Sequence, residues 1–195
     1  RPVVPELLNS YELLAQMDFI RAKAIWATDI NAIYPVLEDR AQIDWVQAIH
    51  PLLKKSLEKH GKTVVPLDVR LDVAKRIILI SGPNAGGKSV CLKTVGLLQY
   101  MLQCGLLVPL REDSTMSVFE HLMIDIGDEQ SMEDDLSTYS SHLKNMKAFV
   151  RYANEYTLLL IDEFGTGTEP LLGGAIAESV LTQLVAQGAF GVITT

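Results

Sequence analysis

Residues 76–89 read RIILISGPNAGGKS. Ile77, Ile78, Leu79 and Ile80 form a short, wholly apolar run of the kind a buried strand carries. It leads into a glycine-rich turn that ends in Lys88 and Ser89. The turn fits the Walker A pattern, in which a glycine and four residues precede Gly-Lys-Ser, with Gly82, Gly87, Lys88 and Ser89 in the fixed places. Pro83, Asn84, Ala85 and Gly86 fill the interval, and Val90 follows. Glycines let backbone N–H groups turn inward on a phosphate, and a helix starting near Gly87 adds its positive end. On this reading Lys88 reaches the β- and γ-phosphates and the Ser89 hydroxyl takes Mg²⁺. A ligand-free strand-to-helix turn is the plainer alternative. The strand before the turn and the Lys-Ser pair at its end favour a nucleoside triphosphate.

A second apolar strand, Thr157-Leu158-Leu159-Leu160-Ile161, delivers Asp162 and Glu163 to its C-terminal edge. Ligands collect at that edge in open α/β sheets. Asp162 fits a Mg²⁺ ligand across from Ser89. Glu163, directly after it, is placed to orient or deprotonate an attacking water, which points to hydrolysis of ATP rather than transfer to a second substrate.

The chain has 195 residues, 48% apolar and 21% charged, enough for one domain or one domain with an appendage. No run approaches the 18 or so apolar residues of a membrane span, and there is no signal-peptide layout. Beginning at Arg1 and stopping within GVITT, the stretch reads as a piece of a longer protein. Cys91 and Cys104 fit no metal spacing and read as reduced thiols of a cytoplasmic protein. The net charge of −7 gives no overall footprint for nucleic acid. It does not exclude ATP: salt screens global repulsion beyond about 8 Å, whereas charge-assisted bonds in the loop contribute roughly 1.5–3 kcal/mol each.

Residues 6–28 read as a helix with one apolar stripe, Leu13, Met17, Ile20, Ala24 and Ala27, and with Arg21 and Lys23 solvated off it. Residues 29–47 read as a linker. Leu67–Leu71 alternates as a half-buried strand, with Pro66 marking a sheet edge. His50 and His60 stand without metal-type neighbours and read as structural or solvated. Residues 106–110 (LLVPL) suggest a short strand, REDSTMS a polar turn and FEHLMIDIG (119–127) another strand. A helix is expected to begin within Ser137–Ser141, with Leu143, Met146, Phe149, Val150 and Ala153 on one face. FGTGTEP turns into a last helix closed by Gly188, and AFGVITT starts a last strand. Strands alternating with helices imply an α/β fold with a mostly parallel sheet flanked by helices.

Ser137-Thr138 at a helix start is most simply a cap. The functional alternative has this turn, with the Ser137 hydroxyl, bind the γ-phosphate of a second protomer. Glu133, Asp134 and Asp135 just before it suit a helix N-terminus but would repel a phosphate unless turned aside.

Taken together, GPNAGGKSV (82–90), STYSSH (137–142), LLLIDEFGTGTEP (158–170) and VITT (192–195) resemble the ATPase domain of the MutS family of DNA-repair proteins. The likeness covers about residues 48–195, with Ile49-His50-Pro51 similar to the family's Arg-His-Pro opening. IGDEQSMEDDLSTYSSH resembles the type-two bacterial paralogues more than the mismatch-recognition proteins. The resemblance implies a P-loop NTPase of ABC type that works as a dimer with ATP and Mg²⁺. It divides the chain into residues 1–47, the end of the connecting lever helices plus linker, and 48–195, the ATPase. Lys88 and Ser89 would sit at phosphate and Mg²⁺, Asp162 on Mg²⁺, and Glu163 as base. Ser137 and Thr138 would act in trans, and Gly165, Thr166, Gly167 and Thr168 would form the loop crossing the dimer interface.

Two departures accompany the likeness. Val64 and Val65 stand where many relatives stack an aromatic on adenine, which weakens the expected base contact. The family's switch histidine follows a Thr like Thr195, so this stretch is expected to bind ATP and hydrolyse it weakly. DNA would be gripped by parts of the parent outside this stretch, where some relatives also carry a nuclease module; the branch is expected to act on branched or recombining DNA or on stalled translation. Two other readings are an ATPase subunit of a membrane transporter and an ATP-gated binding module with little turnover. Against the first, Leu136-Ser137-Thr138-Tyr139-Ser140 stands where transporters typically carry LSGGQ.

Overall fold

The computed structural model describes residues 3–83, 87–127, 135–166 and 169–195, with the backbone alone at 135–139 and 170. Of the residues singled out above, Asn84, Ala85, Gly86, Gly167 and Thr168 lie outside the described residues, as do Glu133 and Asp134.

In chain order the elements are α1 (Val3–Asp29), β1 (Val36–Glu38), β2 (Ile43–Ala48), α2 (Pro51–Glu58), β3 (Leu67–Leu71), β4 (Ile77–Ile80), α3 (Lys88–Gln103) and β5 (Thr115–Ser117). They continue with β6 (His121–Asp125), α4 (Asp135–Tyr152), β7 (Thr157–Ile161), α5 (Pro170–Ala186) and β8 (Phe190–Thr194). Two four-stranded sheets result. One has the order β4-β8-β7-β6 and is parallel throughout. The other, β1-β5-β2-β3, is mixed, with β1 parallel to β5 and the other pairs antiparallel.

The parallel sheet is central because its sequence leaves no polar face. All positions of β7 and β8 are buried, as a parallel sheet covered on both sides requires. Side chains alternate between the faces. Leu158, Leu160 and Val192 join the larger core, with Leu92, Val95 and Leu98 of α3 and Ile43 and Trp45 of β2. Leu159, Ile161 and Ile193 meet Met146 and Phe149 of α4 and Leu184 of α5 on the other side. Each such side chain contributes roughly 1.5–3 kcal/mol on burial. Helix α3 lies so close to β7 that a Cβ on Gly96 would stand 2.8 Å from Leu160 Cδ1. This close fit sets where Lys88 enters.

Several expectations are corrected. Residues 29–47 are more than linker: they supply β1 and most of β2, with Ile43 and Trp45 fully buried. Part of REDSTMS is β5, and Ser117 in it and Ser114 just before it are buried because the neighbouring backbone satisfies them. Ser114 Oγ accepts from Val46 N–H at 3.0 Å, and Ser117 Oγ donates to Arg40 O at 2.6 Å. Residues 106–110 are not a strand; Val108 makes one isolated bridge to Ile33, and Pro109 next to it has no N–H to extend a ladder. Helix α4 is described from Asp135, so the backbones of Ser137 and Thr138 lie in its first turn. Helix α1 runs longer than expected and its stripe is bare: Leu13, Met17 and Ile20 are all more than half exposed, and Ala27 is its buried residue. Lys23 is half-buried, donating to Gly105 O at 3.4 Å and lying over the Phe19 ring.

His50 has the structural role expected of it. It caps α2, its Nδ1 accepting from Leu53 N–H at 3.2 Å with Pro51 in the first turn. β3 is an edge strand, as Pro66 suggested.

Candidate functional site

The four parallel strands end together, and their C-terminal edge gathers the residues that the sequence singled out. β4 ends at Ile80, and the chain turns through Gly82 (φ +145°) and Gly87 (φ +81°), backbone angles that side chains disfavour, into α3. Lys88 opens that helix and folds back over the turn. It is 7% exposed, and its Nζ donates to the main-chain oxygens of Gly82 at 2.5 Å and Thr195 at 2.6 Å. An ammonium carries three N–H donors, and among the described residues the third is unused. Ser89 is half-buried, Val90 is 42% exposed, and Pro83 is exposed.

Two strands away, β7 delivers Asp162, which is 6% exposed. Its Oδ1 accepts from the Thr194 hydroxyl and, at 3.2 Å, from Glu163 N–H. Its Oδ2 makes no hydrogen bond among the described residues. A carboxylate held by one oxygen and open at the other suits a divalent cation, which takes hard oxygen ligands. Glu163 is exposed, and its N–H also donates to Thr194 Oγ1 at 2.9 Å. Thr166 closes the turn, its N–H and hydroxyl both donating to Glu163 O, at 3.1 and 2.8 Å. Gly165 has φ +82°, and a Cβ there would stand 3.2 Å from Ala177 Cβ of α5.

The strand between them, β8, joins the two halves. Thr195 N–H donates to Ile80 O at 3.1 Å, Thr195 O receives Lys88, and Thr194 holds Asp162 and the backbone of Glu163. Lys88 and the Asp162 carboxylate are thus linked through two consecutive residues, Thr194 and Thr195. The sequence reading passed over Thr194. It also missed Asp125, at the end of β6, whose carboxylate is bonded by His142 and Asn145 of α4. Asp125 O accepts Asp162 N–H at 2.8 Å. A signal was available, since His142 and Asn145 precede Met146 and Phe149 on one helical face and a second apolar strand ends in an aspartate. Asp125, His142, Asp162, Glu163 and Phe164 line a cleft of about 40 Å³.

Ser137 and Thr138 belong to the first described turn of α4; their side chains lie outside the described residues. Val64 and Val65 lie in the irregular segment before β3 rather than in β4, and Val65 is 85% exposed. Cys91 and Cys104 are free thiols, and burial pushes the Cys91 thiol above its ordinary range. No metal-type cluster of His, Cys, Asp and Glu occurs among the described residues.

The family model for MutS domain V matches residues 78–195. The chain belongs to the MutS family. Its matched span runs from β4 through the end of β8 and so contains both the Lys88 turn and the Asp162–Glu163 turn. Among similar proteins is the Endonuclease MutS2 of Shouchella clausii, 47% identical over 190 residues, covering 97% of this chain and 23% of that protein. The Endonuclease MutS2 of Acetivibrio thermocellus is 44% identical over 195 residues, covering 100% of this chain and 24% of the relative. That of Leuconostoc citreum is 40% identical over 194 residues. The chain therefore spans about a quarter of the length of these MutS2 relatives. No described helix is long and apolar enough to cross a membrane.

Proposed function

We propose that this chain is the ATP-binding and ATP-hydrolysing domain, of ABC type, of a cytoplasmic MutS2-like DNA-repair or recombination protein. The observation that carries the reading is the continuity across β8. Lys88, pinned on Gly82 and Thr195, and Asp162, pinned on Thr194, face the same sheet edge. One strand, β8, separates the lysine strand β4 from the carboxylate strand β7, and a triphosphate would lie across it.

Residues 82–90 would wrap the phosphates, with backbone N–H groups and the first turn of α3 supplying positive ends of dipoles. Lys88 would exchange its two main-chain oxygens for phosphate oxygens. Ser89 and Asp162 would hold Mg²⁺, which when bound neutralises charge on the phosphates. Glu163, exposed at the mouth of the cleft, takes a proton from the attacking water on its carboxylate. Ser137 and Thr138 would serve the site of a second copy, and the 165–168 loop would cross between the copies. Closure of that dimer would move α1 and, through it, a DNA clamp elsewhere in the parent. Residues 30–48 belong with the ATPase in this scheme, since β2 packs in its core.

The test is ATP turnover per molecule over a wide range of protein concentration, beside Lys88→Ala and Ser137→Ala. Specific activity should climb with concentration, and each variant should lower it by two to three orders of magnitude, on the order of what one removed transition-state donor costs. Flat activity that is indifferent to Ser137 would remove the shared-site mechanism.

A further inference from the structure

The Asp125 carboxylate at the end of β6 is clasped from α4. His142 Nδ1 lies 2.6 Å from Oδ2, and Asn145 Nδ2 donates to Oδ1 at 2.8 Å. An ionised carboxylate only accepts, so Nδ1–H is the donor. Asp125 is 6% exposed, and a buried carboxylate without partners is costly, so these two donors are what allow it there. Its backbone bonds towards β7: Asp125 O accepts the N–H of Asp162 at 2.8 Å. One residue therefore ties α4, by its side chain, to the main chain that carries Asp162 and Glu163.

Cohesion alone does not call for such a group. Met146 and Phe149, next along the same helical face, hold α4 to the sheet by apolar contact, and replacing both partners of a buried hydrogen bond by apolar groups of the same shape is often nearly neutral or stabilising. What a two-donor clasp adds is direction. Two bonds to the two oxygens of one carboxylate fix both the rotation of α4 about its axis and its shift along β6. Ser137 and Thr138 lie on the same helix, and Ser137 is about 12 Å along the axis from Asn145 at the helical rise. A helix is stiff over that length, so the position of the clasp sets the position of the first turn.

We propose that Asp125, His142 and Asn145 are positioning residues that make the first turn of α4 and the Asp162–Glu163 turn of the same protomer move as one body. Each protomer's own acidic turn thereby governs the Ser137–Thr138 turn that it presents to its partner's nucleotide, and the two sites of the dimer are coupled. This rests on the shared-site reading above.

The test uses the full chain with His142→Ala, His142→Asn, which keeps a donor where Nδ1 was, and His142→Gln, which keeps one where Nε2 was. Two quantities are read: backbone amide hydrogen exchange over residues 135–145 without nucleotide, and kcat and KM for ATP. His142→Ala should speed exchange through that segment and lower kcat roughly ten- to hundredfold, with KM changed less than about twofold, because misplacement acts on the transition state. His142→Asn should restore both, and His142→Gln neither. Rescue by Gln and not by Asn would assign His142 to chemistry in the cleft and overturn the clasp. So would exchange in His142→Ala equal to wild type, or a rise in KM alone. The exchange readout needs no turnover, so an inactive wild-type chain counts against the ATPase reading while the exchange still decides on the clasp.

Discussion

Glu163 carries a left-handed backbone, φ +50°, two residues past the end of β7. For a residue with a side chain this conformation costs roughly 1–3 kcal/mol and persists where the surroundings over-determine it. Here they do: its N–H is taken by Asp162 and Thr194, and its oxygen by Thr166. In this turn the Glu163 side chain is exposed while the neighbouring Asp162 stays buried. Glu163→Gly should therefore unfold with a free energy about 1 kcal/mol higher than Glu163→Ala. The relief of strain is offset by roughly 0.5–1 kcal/mol of glycine flexibility. Neither variant should hydrolyse ATP. Chemical denaturation of the pair checks it, and equal stabilities would mean that the turn is unstrained.

Helix α2 shows the same economy at the scale of an element. Its eight residues, PLLKKSLE, are too few to be stable alone, and it starts on the His50 cap. Burial lowers the proton affinity of His50 below the ordinary histidine range, its backbone hydrogen bond opposing this to a smaller degree. The cap works only while Nδ1 is free to accept. A depressed pKa makes the folded state bind fewer protons than the unfolded one. The contribution is therefore present above the unfolded value of about 6.5 and is lost as pH falls through the folded value. At about pH 8, His50→Ala should cost about 1 kcal/mol. His50→Ser, which caps without titrating, should lose less stability than wild type on going to acid. Thermal unfolding at several pH values reads both; parallel curves for wild type and His50→Ser would show that the cap does not titrate.

On the scale of the whole molecule, α1 stands apart from the body. Val4, Leu7, Leu14 and Met17 are more than half exposed, and its ties lie at its C-terminal end. There Asp29 pairs with Lys55, whose ammonium also lies over the Trp26 ring. So much bare apolar surface is unusual on a free monomer. Removing residues 1–18 should leave the unfolding free energy within about 1 kcal/mol, since residues 3–18 are exposed throughout, and should reduce self-association measured by light scattering. Loss of cooperative unfolding in the shortened chain would show that α1 is part of the folding unit.

The strongest features were legible locally. Four apolar residues before a glycine turn ending in Lys-Ser marked β4 and α3, and five apolar residues before Asp-Glu marked β7, because buried parallel strands and phosphate turns are patterns of adjacent residues. Ser114 and Ser117 read as turn because a serine announces no partner; their backbone partners lie 68 and 77 positions away. Asp125 is the same case within the site, with partners 17 and 20 residues further on. Sequence by itself determined the family, the parallel sheet and the stretches that meet at its edge. Only the tertiary structure decided that β8 links lysine to carboxylate and that α4 is clasped to Asp125, since hydrogen-bond partners far apart in the chain are chosen when the strands come side by side.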